Sequence, residues 1–152
     1  MPATGATHLI FFIAAIFIAA TLVAAFTSVI YDLNDAMESR GRSESMSVQS
    51  RVEVINDLVA MPYDNTSKTL DIYVKNTGAT ELWPNQTLVL IDGIDHNYTT
   101  AIVGGASAWG PGLTAVFTVE DCYFTADSDH FLKVVASYGA SDTKEFRIGT
   151  LP

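Results

Sequence analysis

The sequence predicts an N-terminal transmembrane α-helix followed by an all-β, immunoglobulin-like sandwich outside the membrane. No charged side chain occurs from Leu9 to Ile30. After residue 50, apolar and polar residues alternate in several short stretches, and turns rich in glycine, proline and asparagine separate them. We therefore expect an anchor helix at residues 1–31, a helical stalk or linker at residues 32–50, and an extracellular β-sandwich at residues 51–152.

Composition excludes several classes of function. The 152 residues include 17 acidic and 8 basic side chains, for a formal charge of −9, and none of these precedes Asp32. Such a charge disfavours binding to nucleic acid, which needs clustered basic residues. Cys122 is the one cysteine, which excludes an intrachain disulfide and a structural cysteine-type zinc site. We expect Cys122 to be a buried small side chain in a strand-like run from Asp121 to Thr125.

The uncharged stretch predicts a helix that crosses a bilayer. At about 1.5 Å per residue, the segment from Leu9 to Ile30 spans roughly 33 Å, close to the thickness of a hydrocarbon core. Its length and the absence of a basic start favour a retained anchor over a cleaved signal peptide. Small residues recur four apart, which is a candidate helix-packing pattern, although alanine is also simply a common helix former. The candidate packing residues are Ala15, Ala19, Ala20, Ala24 and Ser28.

Two signals bear on orientation. Arginines follow the apolar stretch, so the positive-inside rule gives no support to an outside C-terminus. Three Asn-x-Ser/Thr sequons point the other way, because they would carry glycans only on an exported domain. These candidate N-glycosylation sites, Asn65, Asn85 and Asn97, predict an extracellular sandwich.

The helix is expected to continue beyond the membrane. Leu33 and Met37 lie four apart, and Glu38 and Arg42 have the spacing of a helical ion pair. Only a narrow apolar stripe persists, so this stalk is either a solvated spacer or an oligomerisation helix.

The remaining residues predict about seven short strands. Asp92-Gly93 lies between two apolar runs and predicts a two-residue hairpin turn. Glycine-containing turns end the other runs, at the spacing of a sandwich. The predicted strands are Arg51–Asn56, Lys68–Asn76, Leu88–Ile91, Ile94–Tyr98, Leu113–Val119, Leu132–Tyr138 and Thr143–Ile148.

The sequence contains no catalytic motif, so we predict no enzymatic activity, no cofactor and no metal centre. His8, His96 and His130 lack the spacing of zinc ligands. Carboxylates could gather around calcium if loops brought them together, but their irregular spacing favours solvated loop residues. Those carboxylates are Asp92, Asp95, Asp127 and Asp129. Trp83 and Trp109 are either contact residues at an interface or part of the core.

Several stretches together resemble the archaellum protein G (FlaG) family, one of the FlaG/FlaF archaellin-related families. The resemblance spans residues 7 to 95, and its most specific elements are Ile-Asn-Asp, Tyr-Val-Lys-Asn-Thr-Gly and Leu-Ile-Asp-Gly. The segments that carry the resemblance are Thr7–Ala15, Val52–Asp57, Met61–Tyr63, Ile72–Gly78 and Val89–Gly93.

The resemblance implies a structural component of the archaellum, the archaeal swimming machine, related to archaellins and type IV pilins. Family members are thought to act with archaellum protein F as a membrane-anchored stator that links the motor to the surface layer. It therefore implies archaellum protein F, a surface-layer protein, further copies of the chain and membrane lipid as partners.

Two alternatives remain. An archaellin or type IV pilin subunit would pack the same helix into a filament core, but such precursors carry a basic cleavage site, and no basic side chain other than His8 precedes this apolar run. A membrane-tethered adhesion or ligand-binding domain would show affinity for sugar or calcium.

Overall fold

The computed structural model describes residues 3–125 and 127–148. Its contacts divide the chain into two compact units, Met1–Arg42 and Ser43–Pro152. This boundary falls inside the segment predicted to be a stalk, so the last turns of that segment group with the β-rich unit.

One continuous helix, α1, runs from Ala3 to Gln49 and covers both the predicted anchor and the predicted stalk. By length and composition it is suited to cross a membrane. The hydroxyls of Thr21 and Thr27 donate to the carbonyls of Ile18 (2.9 Å) and Val23 (2.8 Å), so both polar groups are satisfied within the helix itself.

Two antiparallel sheets form the second unit and confirm the predicted all-β sandwich. In the first sheet the strand order is β1-β3-β7-β6, with β2 also paired to β3; in the second it is β5-β4-β8-β9. The strands of the first sheet are β1 (Val52–Val54), β2 (Tyr63–Asp64), β3 (Thr69–Asn76), β6 (Tyr98–Ile102) and β7 (Thr114–Val119). Those of the second sheet are β4 (Leu88–Ile91), β5 (Ile94–Asp95), β8 (Asp129–Val135) and β9 (Ser141–Arg147).

The core lies between the sheets because alternate residues of the longer strands, such as β3 and β7, face inward. Strand β3 shows this pattern over its whole length, with Leu70, Ile72 and Val74 fully buried. Trp109 is also fully buried, and its ring centroid lies 5.6 Å from that of Phe117. Burial of these large side chains supplies the main stabilising free energy of the sandwich.

Four strand predictions need correction. The predicted strand Ile94–Tyr98 ends at Asp95 as β5, and Tyr98 instead begins β6, an unpredicted strand of the other sheet. The run Asp121–Thr125 is a loop, since Asp121 has a positive φ of 56° that breaks the extended backbone, although Cys122 is buried as expected. Strand β8 begins at Asp129 and ends at Val135 instead of reaching Tyr138, whose φ of 60° places it in a turn. The first strand shortens to Val52–Val54.

Candidate functional site

The end of α1 is held by the loop that follows β3, and both belong to the Ser43–Pro152 unit. The N–H of Ala79 donates to the Gln49 carbonyl (2.8 Å), which has no partner within the helix. The N–H groups of Thr77 and Gly78 both donate to the Arg51 carbonyl, at 3.0 and 3.1 Å. We call residues 49–51 and 76–79 the junction.

Gly78 makes this close approach feasible. A Cβ atom there would lie 2.5 Å from the Gln49 carbonyl oxygen and 2.6 Å from the Arg51 nitrogen, well inside van der Waals contact. The φ of Gly78 is not in the left-handed region, so the requirement is steric and does not arise from the turn geometry.

Asn76 fixes the loop from inside. It is fully buried, its Nδ2 donates to the carbonyls of Thr80 (2.8 Å) and Trp109 (3.1 Å), and its Oδ1 accepts from the N–H of Gly78 (3.0 Å). Every polar atom of the side chain is therefore used, as a buried amide requires. The junction is thereby tied to the core, since Trp109 is a central core residue.

The Asn-Thr-Gly element of the family resemblance is this loop. The family resemblance includes this loop but does not indicate that the loop contacts the end of α1. In the sequence the signal is only an asparagine followed two residues later by a glycine. It indicates a turn after β3, but it does not identify the segment against which the turn packs.

The edge of the first sheet at β6 borders a groove of about 400 Å³. Trp83 lines this groove and is 47% exposed, while Trp109 is fully buried. Trp83 is therefore available for contact at the surface, whereas Trp109 is part of the core.

The predicted sequon asparagines lie in three different surroundings. Asn85 is exposed in a short 3-10 turn, Pro84–Gln86, and lines the groove; Asn97 is exposed and immediately precedes β6. Asn65 is half-buried, and its Oδ1 accepts a hydrogen bond from Lys68 Nζ (2.5 Å). Two sites thus present their side chains to solvent, and glycosylation of all three stays a prediction.

The small residues of the helix are exposed, and four-residue spacing places neighbouring pairs on the same side of the helix. They are Ala15, Ala19, Ala20, Ala24 and Ser28. Packing of another helix against them stays a prediction.

An Asp-His-Ser chain, which the sequence analysis missed, joins the β4–β5 turn to the start of β8. His130 Nδ1 lies 2.6 Å from Asp92 Oδ2, and its Nε2 lies 2.7 Å from Ser128 Oγ. In hydrolases such a serine donates its proton to histidine. Here the Ser128 hydroxyl donates to the Thr125 carbonyl (2.6 Å), so its proton is not directed at His130.

This chain is a structural connection. Asp92 also accepts from the N–H of Phe131 (2.8 Å), and the His130 ring packs 4.7 Å from the ring of Phe124. Partial burial would raise the pKa of Asp92, but the hydrogen bonds from Phe131 and His130 outweigh it and lower the pKa below its ordinary value. Asp92 lies 36 positions before Ser128 and 38 before His130, which is why no local motif marks the three residues.

Two of the four acidic residues considered for calcium, Asp92 and Asp129, have other partners. Asp92 is paired with His130, and both Asp129 oxygens accept from the Arg147 guanidinium, at 2.6 and 2.9 Å. Within residues 3–125 and 127–148, no three histidine, cysteine or acidic side chains lie close enough to hold a metal ion. Burial raises the pKa of the Cys122 thiol to about 11, so it is a poor nucleophile or metal ligand near neutral pH.

Comparison with known proteins identifies the family of this chain. The family model for archaeal-type flagellin matches residues 3–146, which includes the helix and both sheets. The chain belongs to the archaeal-type flagellin family. This family membership confirms the resemblance read from the sequence, and it agrees with the prediction that the chain is not an enzyme.

Two relatives of this flagellin-family chain cover nearly its whole length. A flagella-related protein G of Methanocaldococcus jannaschii is 23% identical over 146 residues, which are 93% of each chain. A chain from the archaeal flagellum of Methanospirillum hungatei strain JF1 has a TM-score of 0.54 at 18% identity, and the match covers 90% of this chain and 91% of that one. The second likeness confirms the fold of helix and sandwich.

Proposed function

We propose that the chain is a membrane-anchored structural component of the archaellum, and specifically a stator subunit that links the motor to the surface layer. The observation that carries this is the match to one flagellin-family model over residues 3–146, together with the full-length similarity to a flagella-related protein G. The proposed partners are archaellum protein F, a surface-layer protein and further copies of this chain.

The junction gives this role a physical basis. Force applied to the sandwich must reach the helix through residues 49–51, and the loop at residues 76–79 adds three backbone hydrogen bonds across that point. The Asn76 side chain then distributes load to the Trp109 carbonyl in the core. A stator subunit needs such a non-catalytic connection, one that transmits force between its membrane helix and its outer domain.

We further propose that the uncharged part of α1 lies in the cytoplasmic membrane and that the sandwich lies outside it. To test this, a cysteine is placed at exposed Thr143, and intact cells are treated with a membrane-impermeant maleimide. Because native Cys122 is 1% exposed, the wild-type chain should not react and serves as the control. Labelling of Thr143→Cys only after lysis would contradict the proposed orientation.

Function is tested by separating assembly from rotation. The gene is deleted and complemented either with the full chain or with a chain truncated after Ser50, and filaments and swimming are scored independently. A stator subunit predicts that the truncated chain permits filaments that do not turn. Normal swimming with the truncated chain would contradict the proposal.

A filament subunit is the second candidate, favoured by the likeness to a chain of the Methanospirillum hungatei flagellum over 90% of this chain. In that case the small-residue face of α1 would pack against helices of other copies. Loss of all filaments on deletion, with the protein abundant in sheared filaments, would favour this candidate over the stator.

A further inference from the structure

Hydrogen bonds fix the backbone that presents Trp83 at the surface. The N–H of Trp83 donates to the Ser137 hydroxyl (3.0 Å), and its carbonyl accepts from the N–H of Gln86 (3.0 Å). The carbonyl of the next residue, Pro84, accepts from the Tyr98 hydroxyl (2.9 Å). The turn is therefore tied to two other segments of the sandwich, while the indole ring itself is 47% exposed.

The groove beside Trp83 has the size and chemistry of a sugar site. Its volume of about 400 Å³ lies within the range of small-molecule sites, roughly 300–1,000 Å³. The residues described as lining it are all neutral, and Thr100 and Ser107 among them carry hydroxyls. A sugar ring has C–H groups on its faces and hydroxyls at its rim. It therefore suits a site that combines a flat aromatic ring with neutral hydrogen-bonding groups.

Asn85 selects the occupant of this groove. Its side chain is exposed, it lines the same groove as Trp83 two positions earlier, and it begins the sequon Asn85-Gln86-Thr87. A glycan on Asn85 would start at the groove itself. A tethered sugar has a high effective concentration at the indole, and it does not lose the translational and rotational freedom that a separate partner would lose on binding.

The other two sequons lack an exposed aromatic ring at this position. Two residues before Asn65 is Tyr63, which is half-buried and donates its hydroxyl hydrogen to the Cys122 carbonyl (2.9 Å). Two residues before Asn97 is Asp95, whose carboxylate offers no flat apolar surface. The three sites therefore provide an internal comparison between one glycan with an aromatic platform and two without it.

We propose that Asn85 carries an N-linked glycan whose first sugar packs against the Trp83 ring and fills the groove. In the attachment step, Asn85 Nδ2 bonds to C1 of the sugar and loses one proton to solvent. The bond from C1 to the phosphate of a lipid-linked sugar donor breaks, and its electron pair leaves on the phosphate. A membrane glycosyltransferase of the cell catalyses this transfer. The proposal rests on the proposed orientation, with the sandwich outside the membrane, and not on the stator role.

The contact is tested first by the accessibility of Trp83. The full chain is purified from the native cells into lipid nanodiscs, mass spectrometry establishes the glycan on the Asn85 peptide, and tryptophan fluorescence is quenched with acrylamide. Of the two tryptophans, Trp109 is fully buried, so the quenching reports Trp83. Asn85→Gln should at least double the quenching constant. Asn97→Gln removes a different sequon and is the matched control, which should leave the constant unchanged.

The energetic coupling between ring and glycan supplies an independent test. In chains from native cells, Asn85→Gln should raise the unfolding equilibrium constant roughly 3- to 10-fold, the effect of a typical aromatic contact. In the Trp83→Ala background the same substitution should change it less than about twofold, while Trp83→Phe should preserve most of the effect. The same variants made in a bacterial host without N-glycosylation are the controls, and there Asn85→Gln should have little effect in any background.

Several outcomes would overturn the proposal. They are an Asn85 peptide without glycan, equal quenching of the wild-type and Asn85→Gln chains, and an effect of Asn85→Gln that is the same with and without Trp83. If Trp83 instead binds a separate protein, the glycan will leave its quenching unchanged. The Thr143→Cys labelling experiment tests orientation separately, so an outside sandwich with a bare Asn85 would refute this proposal alone.

Discussion

The substitution Gly78→Ala tests whether the junction stabilises the sandwich. The added Cβ would lie 2.5 Å from the Gln49 carbonyl oxygen, so the loop must move by about 1 Å to reach ordinary contact near 3.4 Å. That movement breaks or stretches three hydrogen bonds from residues 77–79. At about 1 kcal/mol each, we expect the free energy of unfolding to fall by about 3 kcal/mol.

The assay is urea unfolding of the full chain in lipid nanodiscs, followed by tryptophan fluorescence. Trp109 is fully buried and reports loss of the core. With a urea dependence of roughly 1–3 kcal/mol per molar for a domain of this size, the midpoint should fall by about 1–3 M.

Gly110→Ala is the matched control within the sandwich. Its Cβ would meet only Leu113 Cδ1, at 3.9 Å, and Gly110 has no positive φ. We expect a change within about 0.5 kcal/mol. If Gly78→Ala were as stable as Gly110→Ala, the junction would not contribute to stability and the load path through it would lose its basis.

Three further predictions concern other groups. Folding lowers the pKa of Asp92, so the stability that its carboxylate contributes is present above about pH 4 and is lost as the pH falls through the pKa of the folded state. Asp92→Asn should therefore flatten the dependence of unfolding free energy on pH between about pH 5 and 3, as measured by acid titration. The Cys122 thiol, with a pKa of about 11, should react with a thiol reagent at pH 8 only after denaturation, and rapid reaction of the native chain would show that it is accessible. If the sequons carry glycans, substitution by glutamine at Asn65, Asn85 or Asn97 should increase the gel mobility of protein isolated from the native cells. An unchanged mass for all three variants would refute the glycosylation prediction.

Local patterns predicted most of the sandwich because each depends on neighbouring residues. The alternation in β3 identified its buried face, and Asp92-Gly93 forms the predicted two-residue turn between β4 and β5, with φ angles of 53° and 82°. The extension to Tyr138 was wrong for an instructive reason: Ala136 is buried like a strand residue, so the periodicity continues although the backbone has left the strand.

The functional geometry was less accessible because it depends on strand register and loop docking. Asp92 meets His130 only after β4 pairs with β8. Likewise, Gly78 contacts Gln49 only after the β3 loop folds back onto the helix end. A sequence gives the residue types for such contacts, but long-range pairing decides which of them meet.

Quantitative mass spectrometry of purified membranes and sheared filaments from the same cells tests the central claim most directly. A membrane-anchored stator subunit should be enriched in the membrane fraction and nearly absent from filaments. Its presence in filaments at an abundance comparable to that of the main subunit would contradict the stator assignment and make the chain a filament subunit.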